Sequence, residues 1–152
     1  MAVLRDSVNE ALKAAMKSRD AARTSALRMM TAAFKDRDIE ARGAGKPAAA
    51  DDELLASLAK MIRQREESAK AFDAGARPEL AAKERAEIEV IRGFMPKQMD
   101  EAELEAAVAA AIAESGATTV RDMGKVMAAL KARHAGAMDF GKASALVKSK
   151  LG

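Results

Sequence analysis

The chain has no cysteine, no tryptophan and no tyrosine, and only one histidine. Without cysteine there is no disulfide framework, no thiolate metal site and no cysteine nucleophile, a composition that suits a reducing compartment. A serine hydrolase needs a nucleophile, a base and an orienting acid, yet His134 falls near an expected helix C-terminus and no Gly-x-Ser-x-Gly elbow accompanies it. An imidazole in that place interacts with the last carbonyls of its helix, which assigns it to capping. No Glu-x-x-His pair of the di-iron kind occurs either. The expectation is therefore no catalytic residue, no metal and no cofactor. Long uncharged apolar runs are also missing, and Met1 to Lys13 lacks the charged-then-apolar order of a signal peptide. This predicts a cytoplasmic chain with no membrane partner.

Residues that favour strands are scarce, and no stretch alternates apolar with polar side chains. What is present is a helix-forming vocabulary: 49% hydrophobic residues against 3% aromatic, so that alanine, leucine and ten methionines carry most of the apolar share. The expected fold class is all-α with almost no strand. A length of 152 residues admits one ordinary domain or two small ones.

Leu4, Val8, Leu12 and Met16, spaced by four, predict a first helix with one apolar face that ends near Asp20. Asp20 caps a second helix with the stripe Leu27, Met30 and Phe34, closing at Gly43 as a left-handed stop before the Gly43 to Pro47 loop. Asp51 or Asp52 opens a third helix, with Leu54, Leu55, Leu58, Met61, Ile62 and Phe72 facing inward and Gly75 at its end. Its cations Arg63, Arg65 and Lys70, interleaved with Glu66, Glu67 and Asp73, read as a solvated face. Pro78 starts a fourth helix carrying Leu80, Ile88 and Ile91, which stops before Pro96.

Asp100 and Glu103 are spaced as a capping box, with Met99 and Leu104 as the staple, and mark a new unit. Helix five carries Leu104, Val108 and Ile112 and ends at Ser115 and Gly116. Thr118 or Thr119 opens a sixth, with Met123, Val126, Met127 and Leu130 inward and Gly136 at its end. Asp139 caps the last, in which Leu146, Val147 and Leu151 are buried candidates. Met16, Met30, Met61, Met123 and Met127 are expected as core filler. The chain thus divides into a four-helix N-terminal domain, 1–96, and a three-helix C-terminal domain, 97–152, with no internal repeat. The smaller domain approaches the lower size limit for folding alone.

A net charge of +3 does not by itself require a nucleic-acid partner. Its distribution is uneven. From Gly116 to Gly152 seven basic residues face two acidic ones, whereas Asp100 to Ser115 holds five carboxylates and no base. Gly124 lies inside a predicted helix, where glycine costs about 1 kcal/mol against alanine. Something therefore approaches its backbone closely, either a crossing helix or a phosphate backbone met by Lys125 and its basic neighbours. The candidate RNA-binding residues are Gly124, Lys125, Lys131, Arg133, Lys142 and Lys148. The run Gly136 to Ala143 has Walker A spacing as far as Lys142, but Ala143 stands where a magnesium-ligating hydroxyl belongs and a helix precedes it, so it reads as a chance match.

The runs Leu27 to Lys35, Ile62 to Phe72 and Asp122 to Lys131, with Phe94 to Gln98 between the latter two, resemble the GatB/YqeY family over nearly the whole chain. The resemblance implies a helical N-terminal domain joined to a small domain similar to the tail of the B subunit of glutamine-dependent tRNA amidotransferase. In that enzyme the tail helps hold the tRNA, so RNA contact is expected first at Gly124 to Met127 and from Gly136 to Lys148. Ala137 replaces a residue that is often basic in the family, and Phe140-Gly141 replaces a simpler Asp-Gly turn. The catalytic body of the amidotransferase has no counterpart. The leading expectation is a binding module for tRNA or a tRNA-handling protein. Alternatives are an accessory component of a carbon-nitrogen ligase system and a protein interaction adaptor using apolar surface between the halves. The oligomeric state stays open.

Overall fold

The computed structural model describes residues 3–152, and among them it contains helices and turns but no strand. The helices are α1 (Val3–Lys17), α2 (Ala21–Gly43), α3 (Asp51–Ala74), α4 (Pro78–Arg92), α5 (Glu101–Ser115), α6 (Met123–His134) and α7 (Phe140–Leu151), with a single 3-10 turn at Val120–Asp122. The all-α class is as expected. The chain forms two compact units that divide after Met95. Met1 and Ala2, the start of the expected N-terminal domain, lie outside the described residues.

The first unit is built from α1 to α4 around Val8, Leu27, Met30, Leu54, Leu58 and Ile91, all fully buried. On α1 the four-residue spacing misleads. Each step of four overshoots a full turn by about 40°, so three steps carry Met16 about 120° around the helix from Leu4. Met16 is 52% exposed, and the buried place goes to Ala15, eleven residues from Leu4 and only about 20° out of phase. Met30 and Met61 are buried, and Met123 and Met127 are half-buried.

Helix ends follow local hydrogen bonding more closely than the positions of glycines. Gly43 stays helical, and the left-handed residue is Gly45, at φ 85°. Gly45 N donates to Arg42 O and Lys46 N to Ala41 O, the paired bonds of a Schellman stop. At the end of α3 the same pair runs from Ala76 N to Asp73 O and from Arg77 N to Phe72 O, and the left-handed residue is Ala76 rather than Gly75. At the start of α3, Ala50 occupies the cap position without a side-chain bond, while Asp51 Oδ2 accepts from Leu4 N of α1.

The solvated-face reading of α3 fails at Arg65. Four residues after Met61 and seven after Leu58, it falls on the buried stripe and is 7% exposed. Its Nε donates to Glu87 Oε2 of α4 at 2.9 Å, its Nη1 to Met61 O at 3.2 Å and its Nη2 to Met29 Sδ of α2 at 3.2 Å. One guanidinium thereby joins three helices. A second fork lies between α1 and α2, where Arg5 Nη1 and Nη2 donate to Asp38 Oδ2 and Oδ1 at 2.7 and 2.9 Å. Asp38 Oδ1 also accepts from Ala49 N, and Arg5 donates to Ala49 O, which fastens the segment before α3. The Ala49 amide and then the Arg5 guanidinium hold the Asp38 carboxyl below the usual carboxylate range, against the opposing effect of burial.

The second unit packs α5, α6 and α7 around a core of its own, centred on Leu104, Val108, Val126, Leu130, Met138 and Val147. Asp100 and Glu103 make both bonds of the capping box, and Met99 packs against the cluster that contains Leu104. Gly116 supplies the left-handed stop of α5 at φ 70°. Thr119 precedes the 3-10 turn, not a sixth α-helix directly, and α6 begins only at Met123. Met99 N donates to Ala137 O at 2.8 Å and Gln98 Nε2 to Gly136 O, so the segment entering this unit holds the α6–α7 connection.

Candidate nucleic-acid interface

α6 turns Val126 and Leu130 inward with full burial. The helical period then sets Gly124, Ala128 and Ala132, all exposed, along the opposite side, with Lys125 and Lys131 flanking them. A Cβ added to Gly124 would meet nothing within 4 Å. A crossing helix therefore does not explain this glycine. Its backbone faces open space.

The same order of burial occurs on α7, although a Cβ added to Gly141 would meet Asp139 Oδ1 at 3.2 Å. Ala143 and Val147 are fully buried, while Gly141, Ala145 and Ser149 are exposed between Lys142 and Lys148. The two helices carry one pattern, since Asp122 to Ala132 and Asp139 to Ser149 repeat Asp, Gly, Lys, Ala and Lys at the same five places, 17 residues apart. The expectation of no internal repeat is corrected here. The duplicated Gly-Lys pair was readable in the sequence, but a unit of barely three turns differs at its inward positions, Val126 against Ala143 and Leu130 against Val147, because each packs a different part of the core.

The two aspartates do different work. Asp139 Oδ1 accepts from Gly141 N and Lys142 N at 2.9 and 3.2 Å, capping α7. Asp122 Oδ2 accepts from Thr118 N and Thr119 N, and these bonds, aided by the charge of Lys125, hold its carboxyl below the usual range. Of the six nominated residues, Gly124, Lys125 and Lys131 share a face of α6, and Lys142 and Lys148 share a face of α7. Arg133 is set apart, since its guanidinium pairs with Glu114 of the acidic α5. Lys150 also reaches toward α5, 3.9 Å from Glu105. Lys131, Lys142 and Lys148 make no ion pair among the described residues. His134 closes α6 in a last turn rich in basic groups. Among the described residues no three His, Asp or Glu side chains group as metal ligands.

Residues 5–151 match the family model described as Yqey-like protein. The chain belongs to the YqeY-like family. Curated relatives of this YqeY-like chain include proteins named "Altered inheritance of mitochondria protein 41, mitochondrial". One from Saccharomyces cerevisiae is 33% identical over 94 residues, covering 62% of this chain and 49% of the relative. One from Candida glabrata is 34% identical over 84 residues, covering 55% and 45%. The chain thus spans about half the length of the curated relatives it matches. No helix among the described residues is long and apolar enough to cross a membrane.

Proposed function

We propose that this YqeY-like chain is a cytoplasmic binding module that contacts tRNA, or a tRNA-handling protein, through the exposed Gly-Lys faces of α6 and α7 and carries no active site of its own. The observation that supports this most directly is the open backbone at Gly124, flanked by Lys125 and Lys131, with a second pair of exposed lysines, Lys142 and Lys148, on α7. A residue without a Cβ lets a sugar-phosphate chain approach the helix surface, and lysines on both sides supply the charge that draws it there. Phosphate contacts of this kind position a nucleic acid without reading its bases, which suits a module lacking aromatic stacking residues on these faces.

Binding driven by counterion release falls with salt, by a log–log slope of about −0.7 to −0.9 for each phosphate neutralised. Fluorescently labelled tRNA titrated into the full chain at several salt concentrations measures this slope directly. Lys131→Glu with Lys142→Glu is expected to weaken binding by more than tenfold at low salt and to flatten the slope. Gly124→Leu weakens it without changing net charge. Absence of saturable binding at low ionic strength would sink the proposal.

A further inference from the structure

The first unit carries a second surface that the RNA reading does not use. Two adjoining hollows, of about 460 and 580 Å³, lie along the first half of α2, one toward α4 and the other at the corner with α1, and they share Ala21 and Ser25. The floor is apolar. Ala22, Ala86 and Val90 line one hollow, and Met16 and Met29, 52% and 47% exposed, line the other. Met29 is set in place from below by the Arg65 guanidinium that donates to its sulfur.

Around this floor stand Arg19, Arg23, Arg28 and Lys83. None of the four makes an ion pair among the described residues. The hollows do contain carboxylates, but both are already occupied. Asp20 Oδ1 caps α2 by accepting from Arg23 N, and Glu87 is bound to Arg65. Four cations without ion pairs around an apolar trough, against Asp20 as the one carboxylate there not held by an arginine, suit an occupant that brings both negative charge and apolar side chains.

We infer that this trough docks an acidic amphipathic helix of a partner protein, with its apolar stripe on the alanine, valine and methionine floor and its carboxylates at the four basic residues. A groove between helices is a common seat for such a segment, and exposed thioethers adapt to varied apolar side chains. A phosphate backbone would match the charge but gain nothing from the apolar floor. A second copy of this chain fits poorly. Its carboxylate-rich helix, α5, has Glu105 and Glu114 engaged with Lys150 and Arg133, and its other exposed side chains are mostly alanines that offer no large anchor.

The test uses the full chain and a fluorescein-labelled synthetic peptide of about four helical turns, with leucines on one stripe and glutamates flanking it. Saturable binding by anisotropy is expected, with a loss of about tenfold or more on Arg23→Glu with Arg28→Glu. Lys83→Glu, on a different helix, should weaken binding independently, and circular dichroism should show parental helix content in both variants. A peptide with lysine in place of glutamate, and one with serine in place of leucine, should bind at least tenfold more weakly. Failure of the acidic peptide to bind, or equal binding by either control, overturns the inference. Displacement of the peptide by tRNA that depends on Arg23 and Arg28 assigns the trough to nucleic acid and also overturns it, as does self-association in sedimentation abolished by the same pair. Lys131→Glu with Lys142→Glu should leave peptide binding unchanged, so the two surfaces succeed or fail separately.

Discussion

Arg65 is the residue at which sequence pattern and structure part most sharply. In the sequence it is one of several charges on a long helix, and only its phase relative to Leu58 and Met61 reveals that it faces inward. Phase alone does not show how the buried charge is compensated, because Glu87 lies 22 residues away on another helix. Removing one member of such a pair leaves a charge stranded, whereas replacing both with apolar groups of similar volume is far better tolerated. Glu87→Ala is accordingly expected to cost about 3–5 kcal/mol of stability, and Arg65→Met with Glu87→Leu distinctly less. Urea denaturation of the two variants measures the difference. Equal losses would mean that Arg65 acts through packing alone.

At the level of the helices, starts were more legible than stops. Asp20, Asp100 and Asp139 each accept from the backbone of the first turn, a signal contained within four residues. Stops depend on where paired carbonyls find donors, which is why Gly45 and Ala76, rather than Gly43 and Gly75, took the left-handed conformation. Ties between elements were the least legible, as Arg5, Asp38 and Ala49 show. The depressed Asp38 carboxyl makes this tie sensitive to acid. A group whose folded pKa lies below its unfolded value, near 3.9 for aspartate, contributes stability that is fully present above that value. The contribution is lost as pH falls through the folded pKa. Stability of the parent should therefore drop more steeply than that of Asp38→Asn as pH is lowered from about 5 toward 2, while the variant starts lower at neutral pH. Thermal melts across that range provide the comparison, and parallel curves would remove Asp38 from the acid response.

Across the whole molecule, charge is sorted by element. Acidic α5 holds Arg133 and Lys150, while Lys131, Lys142 and Lys148 remain outside these pairs. The sorting was visible in the sequence, as was the all-α class. The equivalence of α6 and α7 needed burial to bring it out. The Gln98 and Met99 bonds to Gly136 and Ala137 then acquire a further meaning. Two weak contacts joined by a held connection act as one strong one, because engagement of the first fixes the effective concentration at which the second meets the same ligand. Under the proposed function, Gln98→Ala, which removes no lysine, is expected to lower tRNA affinity several-fold while leaving the affinity of a single phosphate-bearing oligonucleotide, too short to reach both helices, unchanged. The connection between the repeated helices would in that case set avidity, and its rigidity would matter as much as either face.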